Sequence, residues 1–256
     1  MNIVSPPSRF SVSLAQGPED LHAVQRLRYD VFCKEMGADS AGTDHAAQTE
    51  GDPFDTFADH LILRDLSLKG AAQVIGTYRL MRTGQAMKAG GFYSAREFDL
   101  TPLTDGRDDV LELSRSCIRA DYRGGLSLMH LWQALARYVE THHISYLFGV
   151  ASFPGVDLEV HRNAIRHLHA KHLAPAGIRP FAHGGGAVDR SEFAGDVDDH
   201  RAAMVAMPSL IKAYLRMGGV VGAGAFVDLD FQTTDVCMIL ETAQLSARQR
   251  AMLGAQ

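Results

Sequence analysis

Two charged side chains lie in a segment that otherwise has the pattern of a buried β-strand. Residues 110–118 are apolar or small except for Glu112 and Arg115, and charged residues are depleted in buried strands. These residue types are those of proton transfer and of carboxylate binding. Alternation along the strand places Glu112, Ser114 and Ser116 on one face and Arg115 on the other. A β-bulge between them would bring Glu112 and Arg115 together, and an ion pair on an edge strand is the alternative.

Other reactive residue types give little support for a metal centre or a covalent nucleophile. The chain has 12 histidines, but His167 and His169 would point in different directions on a helix. No H-E-x-x-H motif and no compact set of three ligands occurs, so we expect no metal. No G-x-S-x-G motif occurs, and Cys117 has no histidine partner visible in the sequence.

The elements that would position Glu112 and Arg115 follow a mixed α/β order. The predicted helices cover residues 19–35, 127–141, 156–172 and 208–217. The predicted strands cover residues 10–14, 60–64, 74–81, 110–118 and 145–152, with a strand pair at 226–240. The predicted loops cover residues 37–53, 84–106 and 184–200.

After residue 110 the order is strand, glycine turn, helix, strand and helix. This order is typical of parallel strand pairing across a crossover. We expect one domain over residues 1–256, with a core at 10–175 and a C-terminal extension at 176–256 that completes the sheet.

Composition and charge exclude several classes of protein. The 256 residues are 46% apolar and 21% charged, which is typical of a chain with a buried core. The formal net charge of -5 disfavours a nucleic-acid partner. Three widely spaced cysteines without a C-x-x-C pair favour a reducing compartment. No secretory signal and no window of about 18 apolar residues occurs, so we expect a cytoplasmic protein, with peripheral contact at the inner membrane left open.

Four short motifs occur in order along the chain. They are R-x-x-V-F at 28–32, D-x-x-D at 52–55, R-L at 79–80 and E-x-S-R at 112–115. Together they resemble the amino-acid acyltransferases of the GNAT superfamily. The match is to the ornithine N-acyltransferases from residue 28 to about 157, and more distantly to the acyl-homoserine-lactone synthases. The most similar segments are 112–123, 131–132 and 149–157.

The resemblance implies both a fold and a reaction. The fold is the α/β GNAT type, a twisted mixed sheet flanked by helices and splayed near Glu112. The reaction is transfer of a fatty acyl group, typically 3-hydroxylated, from acyl carrier protein to the α-amine of an amino acid, with ornithine the expected acceptor and a lyso-aminolipid the product. No permanently bound cofactor is implied, because the phosphopantetheine of acyl carrier protein presents the acyl group.

The chemistry of that reaction suggests roles for the charged residues. An ammonium must lose a proton before it attacks a thioester, and Glu112 is the candidate base. A backbone N–H beside Ser114 is the candidate donor to the oxyanion. A guanidinium fork suits the carboxylate of an amino acid, so we expect Arg115 to bind it, with Arg79 and Arg28 as further candidates.

Three more residues of the motifs are assigned to the acceptor site. Phe32 belongs to it by the resemblance alone. Asp52 and Asp55 are expected to order a lid over the site or to bind a cationic group such as the ornithine side chain. A solvated Asp-Pro turn is the alternative for the two aspartates.

The turn at residues 121–126 corresponds to the loop with which acetyltransferases bind the pyrophosphate of coenzyme A. Gly124 fits that loop, and Gly125 and Trp132 are assigned to the acyl-donor site with it. Asp121 stands where a cation or amide is usual, and Leu126 where a small residue is usual. This favours a carrier-protein phosphopantetheine over coenzyme A. An ordinary strand-to-helix turn explains the glycines equally well.

Acyl carrier protein is acidic, so its docking face should be basic. Arg119 and Arg123 flank the turn, and a second stripe combines Arg162, Arg166 and His169. A solvated face is the alternative for that stripe. The helix at 208–217 could lie on an anionic membrane surface, or it could be an ordinary core helix.

Several functions remain open at this point. Glutamine, glycine or lysine could replace ornithine as the acceptor. A homoserine-lactone synthase is disfavoured by the extra C-terminal segment and by the absence of a tryptophan just after Phe32. A non-catalytic module that binds acyl carrier protein or membranes is the alternative outside the enzymes.

Overall fold

The computed structural model describes residues 9–124, 126–245 and 249 of the 256-residue chain. These residues form α1 (Pro18–Arg28), α2 (Thr83–Ala89), α3 (Thr101–Thr104), α4 (Ser127–His142), α5 (Leu158–His172), α6 (His200–Ala206) and α7 (Ser209–Arg216). Single 3₁₀ turns occur at Gly70–Gln73, Tyr93–Arg96, Ala120–Tyr122, Ala176–Ile178, Arg190–Phe193 and Thr242–Gln244. No helix within the described ranges is long and apolar enough to cross a membrane.

Thirteen strands are present in the described residues. They are β1 (Phe10–Leu14), β2 (Thr43–Asp44), β3 (Thr49–Glu50), β4 (Asp59–Asp65), β5 (Val74–Arg82), β6 (Phe98–Asp99), β7 (Val110–Ile118), β8 (Tyr146–Pro154), β9 (Phe181–Ala182), β10 (Ala187–Val188), β11 (Val220–Val221), β12 (Ala225–Asp228) and β13 (Thr233–Glu241). The main sheet has nine strands in the order β1-β4-β5-β7-β8-β13-β12-β10, with β11 also paired to β13.

The centre of the sheet is the parallel pair β7–β8, which α4 connects across one face. The other pairs of the main sheet are antiparallel. A parallel pair needs such a crossover, so the predicted mixed α/β architecture is confirmed. Strands β12 and β13, which follow residue 175, belong to the same sheet, with β13 paired to β8 and β12 paired to β13.

Strands β7 and β8 separate after a short ladder. They pair only from Val110–Tyr146 to Glu112–Phe148, although each strand is nine residues long. At the point of separation a Cβ on Gly149 would lie 2.0 Å from the carbonyl oxygen of Leu113. Only glycine permits this approach of two backbones. The predicted splay near Glu112 is therefore confirmed.

The two faces of the sheet have different coverings. On one face, which we call the α4 face, Leu111 and Leu113 pack in a core with residues of α4, α5 and α7. On the other, which we call the α1 face, Val24 and Leu27 of α1 pack against Ile62. Pro18 begins α1 and two acidic residues follow it, as helix N-termini favour.

Several sequence expectations about elements need correction. The helix expected at 19–35 is α-helical only to Arg28, after which Tyr29–Glu35 forms a π-helical segment. The loop expected at 37–53 contains β2 and β3, the loop at 84–106 contains α3, β6 and most of α2, and the loop at 184–200 contains β10. These short elements carry too few apolar repeats for a periodic signal. The helix at 208–217 is α7, and its Ile211 and Tyr214 are buried in the core.

Candidate active site

A β-bulge at Arg115 brings this residue and Glu112 to the same face of β7. Arg115 has a φ of +51°, and the register with β5 shifts between Thr77 and Arg79. The shift places one extra residue on β7, which turns the Arg115 side chain to the α1 face. The predicted bulge is confirmed. The edge-strand alternative is wrong, because β7 pairs with β5 on one side and β8 on the other.

Six charged residues meet on the α1 face in what we call the arginine network. Its members are Arg28, Glu50, Asp52, Asp55, Arg79 and Arg115. Their side chains are at most 8% exposed. Buried ion pairs stabilise a fold less than apolar packing of the same volume does. A concentration of them beside a gap in the sheet therefore favours a functional site.

Arg79 connects the D-x-x-D segment to β7. Its Nη1 lies 2.6 Å from Asp52 Oδ1 and 2.9 Å from Asp55 Oδ1, and its Nε donates to Ser114 Oγ at 2.9 Å. Arg28 Nη1 donates to the same Asp55 oxygen at 2.8 Å. All four sequence motifs thus meet around Asp55 and Arg79, because Ser114 belongs to the E-x-S-R motif, although they are far apart in the sequence.

Arg115 makes a second connection between the E-x-S-R motif and the acidic residues of the network. Its Nε lies 3.2 Å from Glu50 Oε1 and its Nη2 lies 3.1 Å from Asp52 Oδ2. Glu50 also accepts a hydrogen bond from Arg28 Nε. The sequence reasoning missed Glu50, since nothing distinguished it from the other acidic residues of its loop.

Burial and the arginines act in opposite directions on the two aspartates. Burial raises the pKa of both carboxyls, but the guanidiniums of Arg79 and Arg115 hold the pKa of Asp52 below its usual value. Arg28 and Arg79 do the same to the pKa of Asp55. The solvated-turn alternative is wrong, because both carboxylates are buried and paired with arginines.

Aromatic rings enclose Arg115. Its guanidinium carbon lies 4.4 Å from the ring centre of Tyr93 and 4.5 Å from that of Phe231, distances typical of cation–π contacts. Phe32 packs edge-on against Phe231, with the centroids 6.0 Å apart, so Phe32 reaches the network through this ring. Burial raises the pKa of Tyr93 to about 12. The sequence analysis missed Tyr93 and Phe231, which no motif includes.

Glu112 occupies the last paired position of β7 before the gap and is fully buried. Its Oε2 accepts the backbone N–H of Tyr93 at 3.0 Å, and its Oε1 accepts that of Ser94 at 2.6 Å. Burial raises the pKa of Glu112, and the hydrogen bonds from Ser94 and Tyr93 oppose this shift. The carboxylate thus fixes the 3₁₀ turn that places the Tyr93 ring against Arg115.

A second group of carboxylates, which we call the acid cluster, lies on the same face. Glu97, Asp228 and Asp235 each offer an oxygen within 4.8 Å of the others. Within the described part of the chain, this is the group with the spacing to hold a metal ion. The sequence analysis missed all three residues, because they belong to separate elements near 97 and 228–235.

The predicted acyl-donor residues lie at the turn between β7 and α4. Arg119 Nε donates to Asp121 at 2.7 Å, and Arg123 forms a two-bond ion pair with Glu35. Gly124 has a φ of +76°, which favours glycine. Gly125 lies outside the described residues. In the second stripe, Arg162 pairs with Glu159, Arg166 approaches Asp198, and His169 is buried.

Trp132 lies on the α4 face, away from the arginine network. Its ring packs edge-on against Tyr214 and lines a cavity of about 360 Å³ between α4, β8 and β13. The lining is mostly apolar and comprises Trp132, Leu135, Ala136, Val139, Glu140, His143, Ile144, Leu147, Leu240, Thr242 and Leu245. The cavity is thus suited to a hydrocarbon chain.

Comparison with known proteins gives consistent results. A family model described as an acetyltransferase (GNAT) domain matches residues 27–133. The chain is 45% identical to the L-ornithine N(alpha)-acyltransferase of Rhodobacter capsulatus over 95% of this chain and 94% of that protein. It is 38% identical to the protein of the same name from Brucella abortus over 96% of this chain and 89% of that protein.

Solved structures match at low sequence identity and show the fold alone. The acyl-homoserine-lactone synthase LasI has a TM-score of 0.51 at 18% identity, covering 96% of this chain and 95% of its own. FeeM, an N-acyl amino acid synthase from uncultured soil microbes, has a TM-score of 0.53 at 12% identity, covering 93% of this chain and 94% of its own.

A mixed sheet that splays beside a buried carboxylate and three arginines, together with the GNAT domain match, defines an acyltransferase of the GNAT class. Four relatives at 35 to 45% identity share one name over nearly the whole chain. The chain belongs to the family of the L-ornithine N(alpha)-acyltransferases.

Proposed function

We propose that the protein transfers a 3-hydroxy fatty acyl group from acyl carrier protein to the α-amine of L-ornithine. The amine nitrogen attacks the thioester carbonyl, a C–N bond forms, the C–S bond breaks, and the amine proton ends on the thiol. The observation that carries the proposal is the gap between β7 and β8, which opens directly after Glu112. The names of the full-length relatives support ornithine as the acceptor.

The α1 face supplies groups for the acceptor. The arginine network offers guanidinium groups for the ornithine carboxylate, with Arg115 the proposed contact because its side chain lies between two aromatic rings. Glu112 is the proposed base, and its burial requires a water to relay the proton from the amine. Its raised pKa favours proton acceptance near neutral pH.

Ser114 is suited to stabilising the leaving group by hydrogen-bond donation, while the proton that ends on the thiol comes from the amine. Because Arg79 Nε donates to Ser114 Oγ, the serine hydroxyl keeps its own proton free to donate towards the gap. The β7–β8 ladder also ends at Glu112, so the backbone N–H groups beside Ser114 lie outside that ladder. We propose these groups as donors to the tetrahedral oxyanion and to the leaving thiolate.

The donor approaches from the turn between β7 and α4 in this proposal. Helix α4 has no side-chain cap at its N-terminus, which leaves backbone N–H groups for one phosphate of phosphopantetheine. The acyl chain would extend into the apolar cavity beside Trp132. Acyl carrier protein places the reaction in the cytoplasm, and the lyso-lipid product would partition into the membrane by brief peripheral contact.

Purified protein tests the proposal directly. We expect incubation with 3-hydroxyacyl-acyl carrier protein and isotope-labelled L-ornithine to yield N-acylornithine, detected by mass spectrometry. Parallel reactions with 3-hydroxyacyl-coenzyme A identify the donor, and reactions with labelled glutamine, glycine and lysine identify the acceptor. Acylation of another amino acid in preference to ornithine would contradict the acceptor assignment, and absence of any acylated amino acid would contradict the function.

A further inference from the structure

The α1 face carries two sets of three carboxylates that differ in their partners. The carboxylates of the arginine network are matched by three arginines. The acid cluster has no such match: no lysine, arginine or histidine of the described residues forms an ion pair with Glu97, Asp228 or Asp235. The acid cluster therefore lacks a cation, whereas the arginine network has three.

Two members of the acid cluster carry buried atoms without a donor. Glu97 is 4% exposed and Asp235 is 3% exposed. Glu97 Oε2 and Asp235 Oδ1 accept no hydrogen bond from any described donor. A buried carboxylate oxygen without a donor is costly, so native proteins keep such atoms where a ligand supplies the missing group.

The pKa values of Glu97 and Asp235 in the protein without substrate are consistent with the absence of a cation partner. Burial, followed by the charges of Asp235 and Asp228, raises the pKa of Glu97 well above its usual value. Burial raises the pKa of Asp235 to about 6, the side chains of Ser152 and Thr233 oppose this shift, and the charge of Asp228 adds to it. Two carboxyls in such contact hold a proton between them. An entering cation would replace that proton.

The acid cluster lies beside the proposed acceptor site. Asp235 pairs with Ser152 of β8 across from the gap, and alternation along β13 places it on the face of Glu112. Asp228 Oδ1 accepts the backbone N–H of Phe231 at 3.0 Å, and the Phe231 ring contacts Arg115. The turn at 228–231 therefore contributes Asp228 to the acid cluster and Phe231 to the surroundings of Arg115, which is the proposed contact for the α-carboxylate.

We propose that the acid cluster is the binding site for the side-chain ammonium of the acceptor amino acid. Arg115 binds the carboxylate end of the acceptor while Glu97 and Asp235 bind the ammonium at the other end. This inference rests on the proposed function, because it assigns the part of the acceptor site that selects ornithine from neutral amino acids.

An ammonium suits this site better than a divalent metal ion. Calcium and magnesium take about six oxygen ligands, several of them waters, whereas two of the three carboxyls here are buried. Asp228 Oδ1 already accepts two backbone N–H groups, from Asp230 and Phe231. An ammonium carries three N–H donors, and the unpartnered oxygens of Glu97 and Asp235 supply acceptors for two of them.

The test compares L-ornithine with L-norvaline, which has the same side chain without the amine. We expect Glu97→Gln and Asp235→Asn each to lower kcat/KM for ornithine by about 10- to 100-fold, the worth of one charge-assisted hydrogen bond. The kcat/KM of each variant for norvaline should stay within about threefold of the wild-type value or rise. The preference for ornithine over norvaline should therefore be largely lost. Asp230→Asn removes an exposed charge from the same turn and should leave the selectivity unchanged.

Each other outcome has a definite meaning. If wild-type protein acylates no amino acid, the proposed function fails. If wild-type protein acylates ornithine and the variants keep its selectivity, or lose both substrates equally while remaining folded by circular dichroism, the acid cluster is not the ammonium site. Loss of activity on chelation that Mg²⁺ or Ca²⁺ restores would make the acid cluster a metal site and overturn the inference.

Discussion

The backbone N–H of Ser94 donates a 2.6 Å hydrogen bond to Glu112 Oε1, although the residues belong to different elements. This contact and the matching one from Tyr93 make Glu112 the anchor of a turn, and the same carboxylate stands at the last paired position before the gap. The two roles are separable by experiment, because one depends on hydrogen-bond acceptance and the other on charge.

Glu112→Gln should lower kcat at least 100-fold, because an amide cannot accept the amine proton. The variant also loses one acceptor for a buried N–H, so we expect a loss of about 1–3 kcal/mol in unfolding free energy. The measurements are acyl transfer and urea denaturation. Glu19→Gln, on the exposed start of α1, is the control.

The pH profile distinguishes a base from an anchor. The base works only when ionised, and burial raises its pKa, so wild-type kcat/KM should rise with pH through that raised pKa and fall below it. The residual activity of Glu112→Gln should not show this rise with pH. Unchanged acyl transfer in the variant, or the same rise with pH, would rule out Glu112 as the base.

Arg28→Met should destabilise the fold by about 3–5 kcal/mol, because it leaves Glu50 and Asp55 buried without a cation. Lys34→Met removes an exposed ion pair to Asp30 and should change the unfolding free energy by less than about 1 kcal/mol. Denaturant unfolding at pH 7 measures both. Equal effects of the two substitutions would contradict a buried network.

Gly149→Ala tests the point where β7 and β8 separate. The new Cβ would meet the Leu113 carbonyl oxygen at 2.0 Å, so the strands must shift, and we expect a loss of about 2 kcal/mol or more with a large fall in kcat. Gly84→Ala in α2 meets no atom within 4 Å and should stabilise the helix slightly. A fully active Gly149→Ala variant would show that the close approach does not shape the site.

The acid cluster makes a prediction about stability that is independent of substrate. The pKa of Asp235 is raised to about 6 when folded and is near 3.9 when unfolded. The folded state therefore binds the proton more tightly, and stability falls as pH rises from about 4 through 6. Asp235→Asn should remove the part of this fall that comes from Asp235, whereas Glu97, whose pKa is also raised, should keep its own part.

The part that comes from Asp235 should be on the order of 3 kcal/mol between pH 4 and pH 8, since one pKa unit corresponds to 1.36 kcal/mol. Urea denaturation of wild-type and variant protein across that range measures it. Parallel stability curves for the two proteins would show that Asp235 ionises freely in the folded state.

The apolar cavity predicts how chain length is selected. Ala136 lines it, and Ala136→Phe would fill part of its volume, so the preferred acyl chain should become shorter by several carbons. Competition among acyl carrier proteins with chains of different lengths measures the change. Ala170→Phe on the exposed side of α5 should leave the preference unaltered, and an unaltered preference in Ala136→Phe would place the chain elsewhere.

The sequence by itself determined the mixed α/β architecture and the central strand. Helical apolar spacing and the glycine turn are local properties, so residues 110–172 indicated a strand, a crossover helix and a second strand. A charged pair on a buried strand suggested a bulge, with an edge-strand ion pair as the alternative, and the structure contains the bulge at Arg115. The ordered motifs also indicated the family before any contact was known.

Only the tertiary structure decided which residues share the site. Glu50 completes the arginine network from a position that no motif marks. The acid cluster joins residues 97, 228 and 235, and no pattern relates them because separate strands bring them together. The predicted Trp132 lies on the other face of the sheet, beside the apolar cavity. Sequence spacing reports which face of its own element a residue occupies, whereas the packing of elements sets which faces meet.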